Sequence, residues 1–208
     1  MTNPDTALPN LAPPIALALA SNFGSVPAWA ADLRATAQAQ GHGEVRLDFI
    51  ARDGTLAHRG FADAAPRSDA TTLFAMPLPG AADAFIAGID WPAAYERYQH
   101  AVQAASAGLE AHEPGTALLI DVRRAGVFDA APTMLPGARW RDPATLPAWA
   151  AELPRNRPVV VYCVYGHEVG RSSALRLRAL GVDARFLAGG IDAWQAAGRA
   201  TVTRQKPA

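Results

Sequence analysis

Three short apolar runs in the second half of the chain constrain its fold more than any other feature. They are 117–122 (ALLIDV), 158–163 (PVVVYC) and 184–187 (ARFL). Continuous apolar runs of this length are typical of strands that are buried on both faces of a sheet. A helix pattern over 170–180 separates the last two runs, and Gly181 can end it. This alternation predicts an α/β domain, an open parallel sheet with helices on both faces.

The first half has a different pattern, which predicts a smaller α+β domain. Its predicted elements are a helix over 26–40, strands over 44–51, 55–61 and 71–76, and a helix over 91–105. Ser25 and Asp90 can cap the two helices. The pair Asp53-Gly54 favours a hairpin between the first two strands. The segment 77–80 (PLPG) predicts a loop after the third strand.

A small, polar stretch separates the two halves and predicts a linker. We divide the chain into a domain over 1–105, a linker over 106–116 and a domain over 117–208. The 19 basic and 19 acidic residues balance, and no basic stripe indicates nucleic acid. We recognise neither a secretory signal nor an apolar run of ~20 residues, so we expect a cytoplasmic protein without a membrane partner.

The only cysteine, Cys163, ends the most apolar predicted strand, and the loop 163–169 (CVYGHEV) leads into a helix. The N–H groups at a helix start, with the helix dipole, stabilise an anion and lower a cysteine pKa. Gly166 and Gly170 allow the loop to curl with its N–H groups inward. We expect Cys163 to be a nucleophile with a pKa about one unit or more below its ordinary value. The alternative is a buried structural cysteine.

Four motifs, in this order, resemble the markers of the rhodanese family. They are 119–123 (LIDVR), 135–138 (LPGA), 159–163 (VVVYC) with Gly166, and 187–194 (LAGGIDAW), and they cover about residues 115–200. The resemblance implies a sulfurtransferase whose cysteine takes up sulfane sulfur as a persulfide and passes it to cyanide or a thiol. By position, Cys163 is then the catalytic residue. The implied substrate-binding residues are Val164, Tyr165, Gly166, His167, Glu168 and Val169.

The resemblance also implies three supporting residues, Asp121 beneath the loop together with Arg123 and Arg171. Many rhodaneses carry a basic residue early in the loop, where it attracts thiosulfate. Apart from His167, this loop has no basic residue before Arg171. The resemblance therefore implies the type of reaction more strongly than it implies thiosulfate as the donor.

One loop residue, His167, allows several interpretations. His167 could act as a general base, be solvated or bind a substrate anion, and the first role is the least favoured because a thiolate held by N–H groups needs no base. Glu168 is expected to be a first-turn helix residue. The sixth residue after Cys163 is Val169. The loop is therefore not the Cys-x5-Arg loop of dual-specificity phosphatases and arsenate reductases.

Segments of the first half also match a family pattern in order. They are 22–25 (NFGS), the hairpin, 68–74 (SDATTLF), 89–91 (IDW) and 95–98 (YERY). Residues 14–104 thereby resemble the C-terminal half of iron/manganese superoxide dismutases. The family's metal-ligand segment is replaced by 77–80, and 1–13 is too short for the hairpin that carries the other ligands. Four scattered histidines are expected to be surface or capping residues: His42, His58, His100 and His112.

We therefore expect an enzyme without cofactor or metal, a sulfurtransferase with no dismutase activity. Its expected partners are a small-molecule sulfur donor and a thiol acceptor. The alternative is a non-catalytic or redox-sensing rhodanese-like protein that acts through partner binding by the N-terminal domain. That domain could be a binding platform, an oligomerisation surface or a relic, and the sequence leaves these roles and the oligomeric state open.

Overall fold

The computed structural model describes residues 8, 10–63, 65 and 68–205. The start of the first predicted domain and the end of the second therefore lie partly outside the described residues. The described residues form two compact units. The first comprises the chain up to Ala51 together with Thr55–Ala101, and the second comprises Arg52–Gly54 together with the chain from Val102 on. The second unit therefore begins before the segment predicted as a linker.

The first unit contains a three-stranded antiparallel sheet of order β2-β1-β3 and four helices. Its elements are α1 (Pro13–Phe23), α2 (Val26–Gln40), β1 (Gly43–Ile50), β2 (Thr55–Phe61), β3 (Ala70–Leu78), α3 (Ala82–Ala87) and α4 (Trp91–Ala105), whose last turn belongs to the second unit. Ser25 Oγ accepts from the N–H of Ala28 at 3.0 Å, and Asp90 Oδ1 from that of Ala93 at 3.0 Å. Both predicted caps are confirmed.

Three features of the first unit differ from the sequence expectation. Helices α1 and α3 were not predicted, and β3 continues through Pro77 and Leu78, which lie opposite Glu44 and Gly43 of β1. Proline is tolerated there because β3 is an edge strand, where a missing N–H breaks no ladder bond on the open side. The loop predicted over 77–80 therefore starts later.

The second unit contains a five-stranded sheet of order β4-β9-β8-β5-β7, in which every neighbouring pair is parallel. Its elements are β4 (Glu110–Ala111), β5 (Leu118–Asp121), α5 (Ala125–Ala130), β6 (Thr133–Met134), β7 (Arg139–Trp140), a 3-10 turn (Pro143–Thr145), α6 (Leu146–Ala150), β8 (Val159–Tyr162), α7 (Glu168–Ala179), β9 (Ala184–Leu187), α8 (Gly190–Ala196) and β10 (Val202–Thr203). Strands β6 and β10 form a separate antiparallel pair. The predicted parallel sheet is confirmed.

The central strand β8 is buried on both faces, which explains its continuous apolar sequence. Val159 and Val161 belong to one core cluster, with residues of α6 and α7. Val160 and Tyr162 belong to another, with Ile191 of α8. Helices therefore cover both faces of the sheet, as the apolar runs predicted.

Part of the segment predicted as a linker is a strand of this sheet. In β4, Glu110 pairs with Phe186 of β9, and Ala111 pairs with Leu187. Two residues are too few to produce a periodic pattern, so the strand left no signal in the sequence.

Candidate active site around Cys163

Cys163 lies at the carboxyl end of β8, shortly before α7 begins. The N–H of Val122 donates to the carbonyl of Tyr162 at 2.9 Å, so the pairing of this edge continues up to the cysteine. Cys163 is 6% exposed and packs in the core cluster that includes residues of α7. A Cβ at Gly170, in the first turn of α7, would lie 3.3 Å from Cys163 Sγ. The sulfur is thus enclosed between the end of β8 and the start of α7.

Four backbone N–H groups donate hydrogen bonds to Cys163 Sγ, those of Gly170, Gly166, His167 and Tyr165. Burial raises the pKa of the Cys163 thiol, and this effect outweighs the four N–H groups, which lower it. The expectation of a lowered pKa is therefore wrong for the unmodified thiol. The physical reason is that an enclosed thiolate loses its hydration, and a few hydrogen bonds replace that loss only in part.

The first turn of α8 fixes the start of the cysteine loop. The N–H of Ile191 donates to the carbonyl of Cys163 at 3.1 Å, and the N–H of Asp192 donates to the carbonyl of Val164 at 3.0 Å. In a trans peptide group the carbonyl and the N–H point in opposite directions. Because the carbonyl of Val164 is held by α8, the N–H of Tyr165 is directed to the sulfur.

Glycines allow α8 and the loop to approach this closely. At Gly166, with φ +67°, a Cβ would lie 2.7 Å from the nitrogen of Gly189 and from the oxygen of Leu187. At Gly190, with φ +60°, it would lie 2.3 Å from the oxygen of Val164. The Gly189-Gly190 pair was noted in the sequence only as part of a motif. Its role in holding the loop was not predicted, because two adjacent glycines indicate a close backbone approach but not which segment approaches.

The residues predicted to bind substrate surround the sulfur with different exposure. Gly166 and Glu168 are buried, Val164 and Val169 are half-buried, and Tyr165 and His167 are exposed. The ring centroids of Tyr165 and His167 are 5.7 Å apart, and Tyr165 is 55% exposed. These two rings form an exposed rim beside the loop. Glu168 is the first residue of α7, in its first turn as expected.

Asp121 and Arg123 form a buried ion pair at the end of β5. Arg123 Nε lies 3.0 and 2.9 Å from the two carboxylate oxygens, and its Nη2 lies 2.5 Å from Oδ2. Tyr162 Oη donates to Asp121 at 2.8 Å and accepts from the N–H of Leu135 at 3.2 Å. Burial, followed by the Asp121 carboxylate, raises the pKa of Tyr162, which keeps its hydroxyl a donor. This network holds the residue that precedes Cys163.

Arg171 is engaged with protein groups on four sides. Its Nε donates to the carbonyl of Gly166 at 3.0 Å, and its Nη1 donates to Ser106 Oγ at 3.2 Å. Nη1 also lies 3.9 Å from Glu110 Oε1, and the guanidinium carbon lies 4.4 Å from the ring centroid of Phe186. Arg171 therefore supports the loop through a carbonyl.

A cavity of about 220 Å³ lies at the ends of β4 and β9, beside α8. Its lining includes Gly190, Trp194 and Arg199. Arg199 stacks on Trp194 at 4.7 Å and is paired with Glu113 in two hydrogen bonds. The cavity is smaller than the ~300–1,000 Å³ of ordinary ligand pockets. Its charged side chain, Arg199, is already paired with Glu113, so we assign the cavity no ligand.

In the first unit, the side chain of His58 is buried although its backbone is partly exposed, so the expectation of a surface or capping histidine is wrong for it. Its Nδ1 lies 2.7 Å from Asp32 Oδ2, and its side chain is 0% exposed. In the described part of the chain, His58 Nε2 and Trp29 Nε1 are buried without a hydrogen-bond partner. Burial lowers the pKa of His58, and the Asp32 carboxylate partly offsets this.

Two further features concern only residues 8, 10–63, 65 and 68–205. No group of three or more His, Cys, Asp and Glu side chains there is arranged to hold a metal ion. None of the helices within those ranges is long and apolar enough to cross a membrane.

Comparison with known proteins gives a family match and several similar structures. A full-length protein from Lactobacillus plantarum is 27% identical over 43% of this chain and 74% of that chain, with a TM-score of 0.40. A rhodanese-related protein from Thermoplasma volcanium is 23% identical over 42% and 84%, with a TM-score of 0.35. A protein of unknown function from Rhodopseudomonas palustris, described as a possible tyrosine phosphatase, is 18% identical over 49% and 77%, with a TM-score of 0.36. The family model of the rhodanese-like domain matches residues 102–197, and this part of the chain is therefore a rhodanese-like domain.

Proposed function

We propose that this domain is a sulfurtransferase that carries sulfane sulfur as a persulfide on Cys163. The observation that supports it best is the convergence of four backbone N–H groups on one sulfur atom. Hydrogen bonds to an ionised acceptor are roughly twice as strong as neutral ones. They therefore favour the thiolate as it forms and the negative charge of a persulfide. A structural cysteine packs as a small apolar residue and needs no such donors.

The reaction needs only the cysteine, a donor and an acceptor. With thiosulfate as donor, the proton of the thiol leaves to solvent and the thiolate attacks the outer sulfur. The new sulfur–sulfur bond forms as that of the donor breaks, and sulfite leaves with the electron pair. A thiolate or cyanide acceptor then attacks the outer sulfur of the persulfide, and Cys163 leaves as a thiolate. No further oxidant or reductant is required.

The surroundings of the loop indicate that thiosulfate is a poor sulfur donor for this domain. Thiosulfate is a dianion, and the two arginines that the sequence predicts as supporting residues are both engaged with protein groups: Arg123 with Asp121, and Arg171 with Gly166 and Ser106. Recognition of the donor then depends on N–H dipoles rather than on a cation. A sulfane-sulfur donor of lower charge is the better substrate class for this loop.

For residues 1–105 we infer descent from the C-terminal half of iron/manganese superoxide dismutases, without dismutase chemistry. The support is the order of elements, helices followed by an antiparallel sheet and a last helix, together with the matching segments of sequence. Where that family carries metal ligands, this chain has 77–80 (PLPG). We assign this domain a supporting role, as a platform for a binding partner.

The experiment is incubation of the whole chain with thiosulfate, followed by intact-mass spectrometry. We expect a mass increase of one sulfur atom, which cyanide removes as thiocyanate, and no increase in the Cys163→Ser variant. The serine variant keeps the loop backbone and nearly the same volume. If thiosulfate and organic persulfides leave the mass unchanged while peroxide oxidises Cys163, the redox-sensing alternative replaces the proposal.

A further inference from the structure

We propose that Ser106 is a positioning residue for Cys163 and that it acts through Arg171. The proposal rests on the sulfur chemistry proposed above for Cys163. Ser106 lies directly after α4, far from the cysteine in sequence and outside the domain predicted over 117–208. No motif in the sequence marks it.

The connection begins at the peptide group between Gly166 and His167. Its carbonyl accepts from Arg171 Nε at 3.0 Å, and its N–H donates to Cys163 Sγ. In a trans peptide group these two bonds point in opposite directions, so a hydrogen bond that holds the carbonyl also fixes the N–H. This peptide group lies between β8 and α7, so no strand or helix ladder orients it. Arg171 does.

The two sides of the loop are therefore held by different means. The N–H of Tyr165 is oriented by the backbone of α8, through the bond from Asp192 to the carbonyl of Val164. The N–H of His167 is oriented by a side chain, that of Arg171. A side-chain contact can be removed by substitution without changing the backbone, which makes the second side testable.

Arg171 can do this only if its own position is fixed, because a long side chain loses rotamer freedom when it is ordered. Ser106 is fully buried, and its Oγ donates its one proton to the carbonyl of Gln103 at 3.3 Å. Its lone pairs are then left to accept from Arg171 Nη1 at 3.2 Å. Phe186, under the guanidinium at 4.4 Å, restricts the other face.

The test measures the alkylation rate of Cys163 by iodoacetamide as a function of pH. Ser106→Ala and Arg171→Ala weaken the bond from His167, so we expect a higher thiol pKa and a rate at neutral pH lower by about three- to tenfold. Ser106→Thr keeps the hydroxyl and should restore the wild-type profile. Arg178→Ala is the matched control, because Arg178 lies on the same helix in an exposed pair with Asp183.

The double variant, Ser106→Ala with Arg171→Ala, decides whether Ser106 affects Cys163 only through Arg171. If Ser106 acts through Arg171, Ser106→Ala adds nothing in the Arg171→Ala background; additive losses overturn the proposal. Should Ser106→Ala fail to fold, as judged by thermal unfolding, Arg171→Lys replaces it. That variant keeps the charge but not the Nε–H, and a wild-type profile for it overturns the proposal.

Alkylation requires no sulfur transfer, so the two proposals fail separately. A shifted alkylation profile in variants of a protein that never loads sulfur leaves Ser106 and Arg171 as positioning residues and removes the sulfurtransferase. Normal sulfur loading with unshifted profiles removes the positioning role alone.

Discussion

The loop around Cys163 and the cluster around His58 both bury a titratable side chain, but they treat it differently. Around Cys163, four N–H groups aim at the sulfur. Around His58, the nearest rings are Phe23 at 5.0 Å and Trp29 at 5.9 Å, and Nε2 has no partner among the described residues. Enclosure is common to both regions, so it does not by itself indicate chemistry. Groups aimed at the buried atom do.

The two surroundings also differ in what they cost or contribute in free energy. A buried polar atom without a partner costs about 1–3 kcal/mol, whereas charge-assisted hydrogen bonds stabilise an anion. His58 is thus held in its neutral form, and protonation of its Nε2 would place a charge among aromatic rings. Cys163 is buried as a thiol, but its surroundings are prepared for a negative charge. Only the second arrangement suits a nucleophile.

The largest expected effect comes from filling the space beside the sulfur. In Gly170→Ala the new Cβ would lie 3.3 Å from Cys163 Sγ, so the sulfur or the helix start must shift. A misplacement of ~1 Å can cost about 100-fold, and we expect sulfur loading to slow by up to that order. Stability should change little, because the preference of a helix for alanine over glycine, roughly 0.5–1 kcal/mol, opposes the cost of the close contact with Sγ.

Gly126→Ala is the matched control for this variant. Gly126 also lies in a helix, α5, and a Cβ there would meet nothing within 4 Å. Loading rates from mass spectrometry, with thermal unfolding of both variants, separate the two effects. Equal loading by both variants would mean that the space beside Cys163 Sγ is not used.

The next effect is the pH dependence of Cys163. Because burial raises its pKa, we expect alkylation by iodoacetamide to stay slow at neutral pH and to reach its half-maximum above the ~8.5 of a free cysteine. A thiol with a pKa of ~8.5 is only about 3% ionised at pH 7, so the rise to the plateau should exceed about 30-fold. Glutathione in the same buffers is the reference. A midpoint below that of glutathione would show that the N–H groups outweigh burial.

Most elements of regular length could be predicted from the sequence, although the eleven-residue helix α1 was missed. The short features and those determined by side-chain contacts could not be predicted. Helix α2, the hairpin, α4 and the parallel strands β5, β8 and β9 follow from periodicity, caps and apolar runs. Strand β4 has two residues, and α3 has six, so neither produces a pattern. The short β4 is also why a linker was predicted where the sheet has an edge strand.

At the site, the position of the cysteine could be predicted but not its protonation. The strand end and the glycines indicated a loop with inward N–H groups, and the N–H groups of Tyr165, Gly166 and His167 do contact Sγ. The pKa depends on how completely the sulfur is enclosed, and enclosure depends on residues distant in sequence. For the same reason Ser106, which contacts Arg171 across the fold, has no signal in the motifs.

A smaller effect is expected at His58. Its pKa is lowered in the folded protein by burial, partly offset by Asp32, so between the folded pKa and the unfolded value of ~6.5 the unfolded chain binds more protons. The contribution of His58 to stability is therefore complete above ~6.5 and falls as the pH decreases below it, by up to about 1.4 kcal/mol per pH unit. Urea unfolding at several pH values measures this.

The control for His58 is a second histidine of the same unit. His58→Gln should flatten the acid limb of the stability curve, whereas His42→Gln, at an exposed position, should leave it unchanged. Parallel curves for wild type and His58→Gln would show that the buried imidazole is not what responds to acid. The two burial sites would then differ less than their surroundings indicate.

The smallest expected effect tests the charge at the rim of the cysteine loop. Tyr165 is 55% exposed beside the loop, and Arg at this position would add a cation that thiosulfate can approach. An exposed charge contact is worth about 0.2–1 kcal/mol, so Tyr165→Arg should lower the KM for thiosulfate by roughly 1.5- to fivefold. Glu168 is less suitable for this change because it is buried in the first turn of α7.

The control is Tyr165→Gln, which removes the ring without adding charge and should not lower the KM for thiosulfate. Since exposed charges are screened over about 8–10 Å at physiological salt, the gain should shrink as salt is added. A KM that does not fall, or a gain that salt leaves unchanged, would indicate that Arg123 or Arg171 already serves the donor despite its contacts with Asp121 and Gly166.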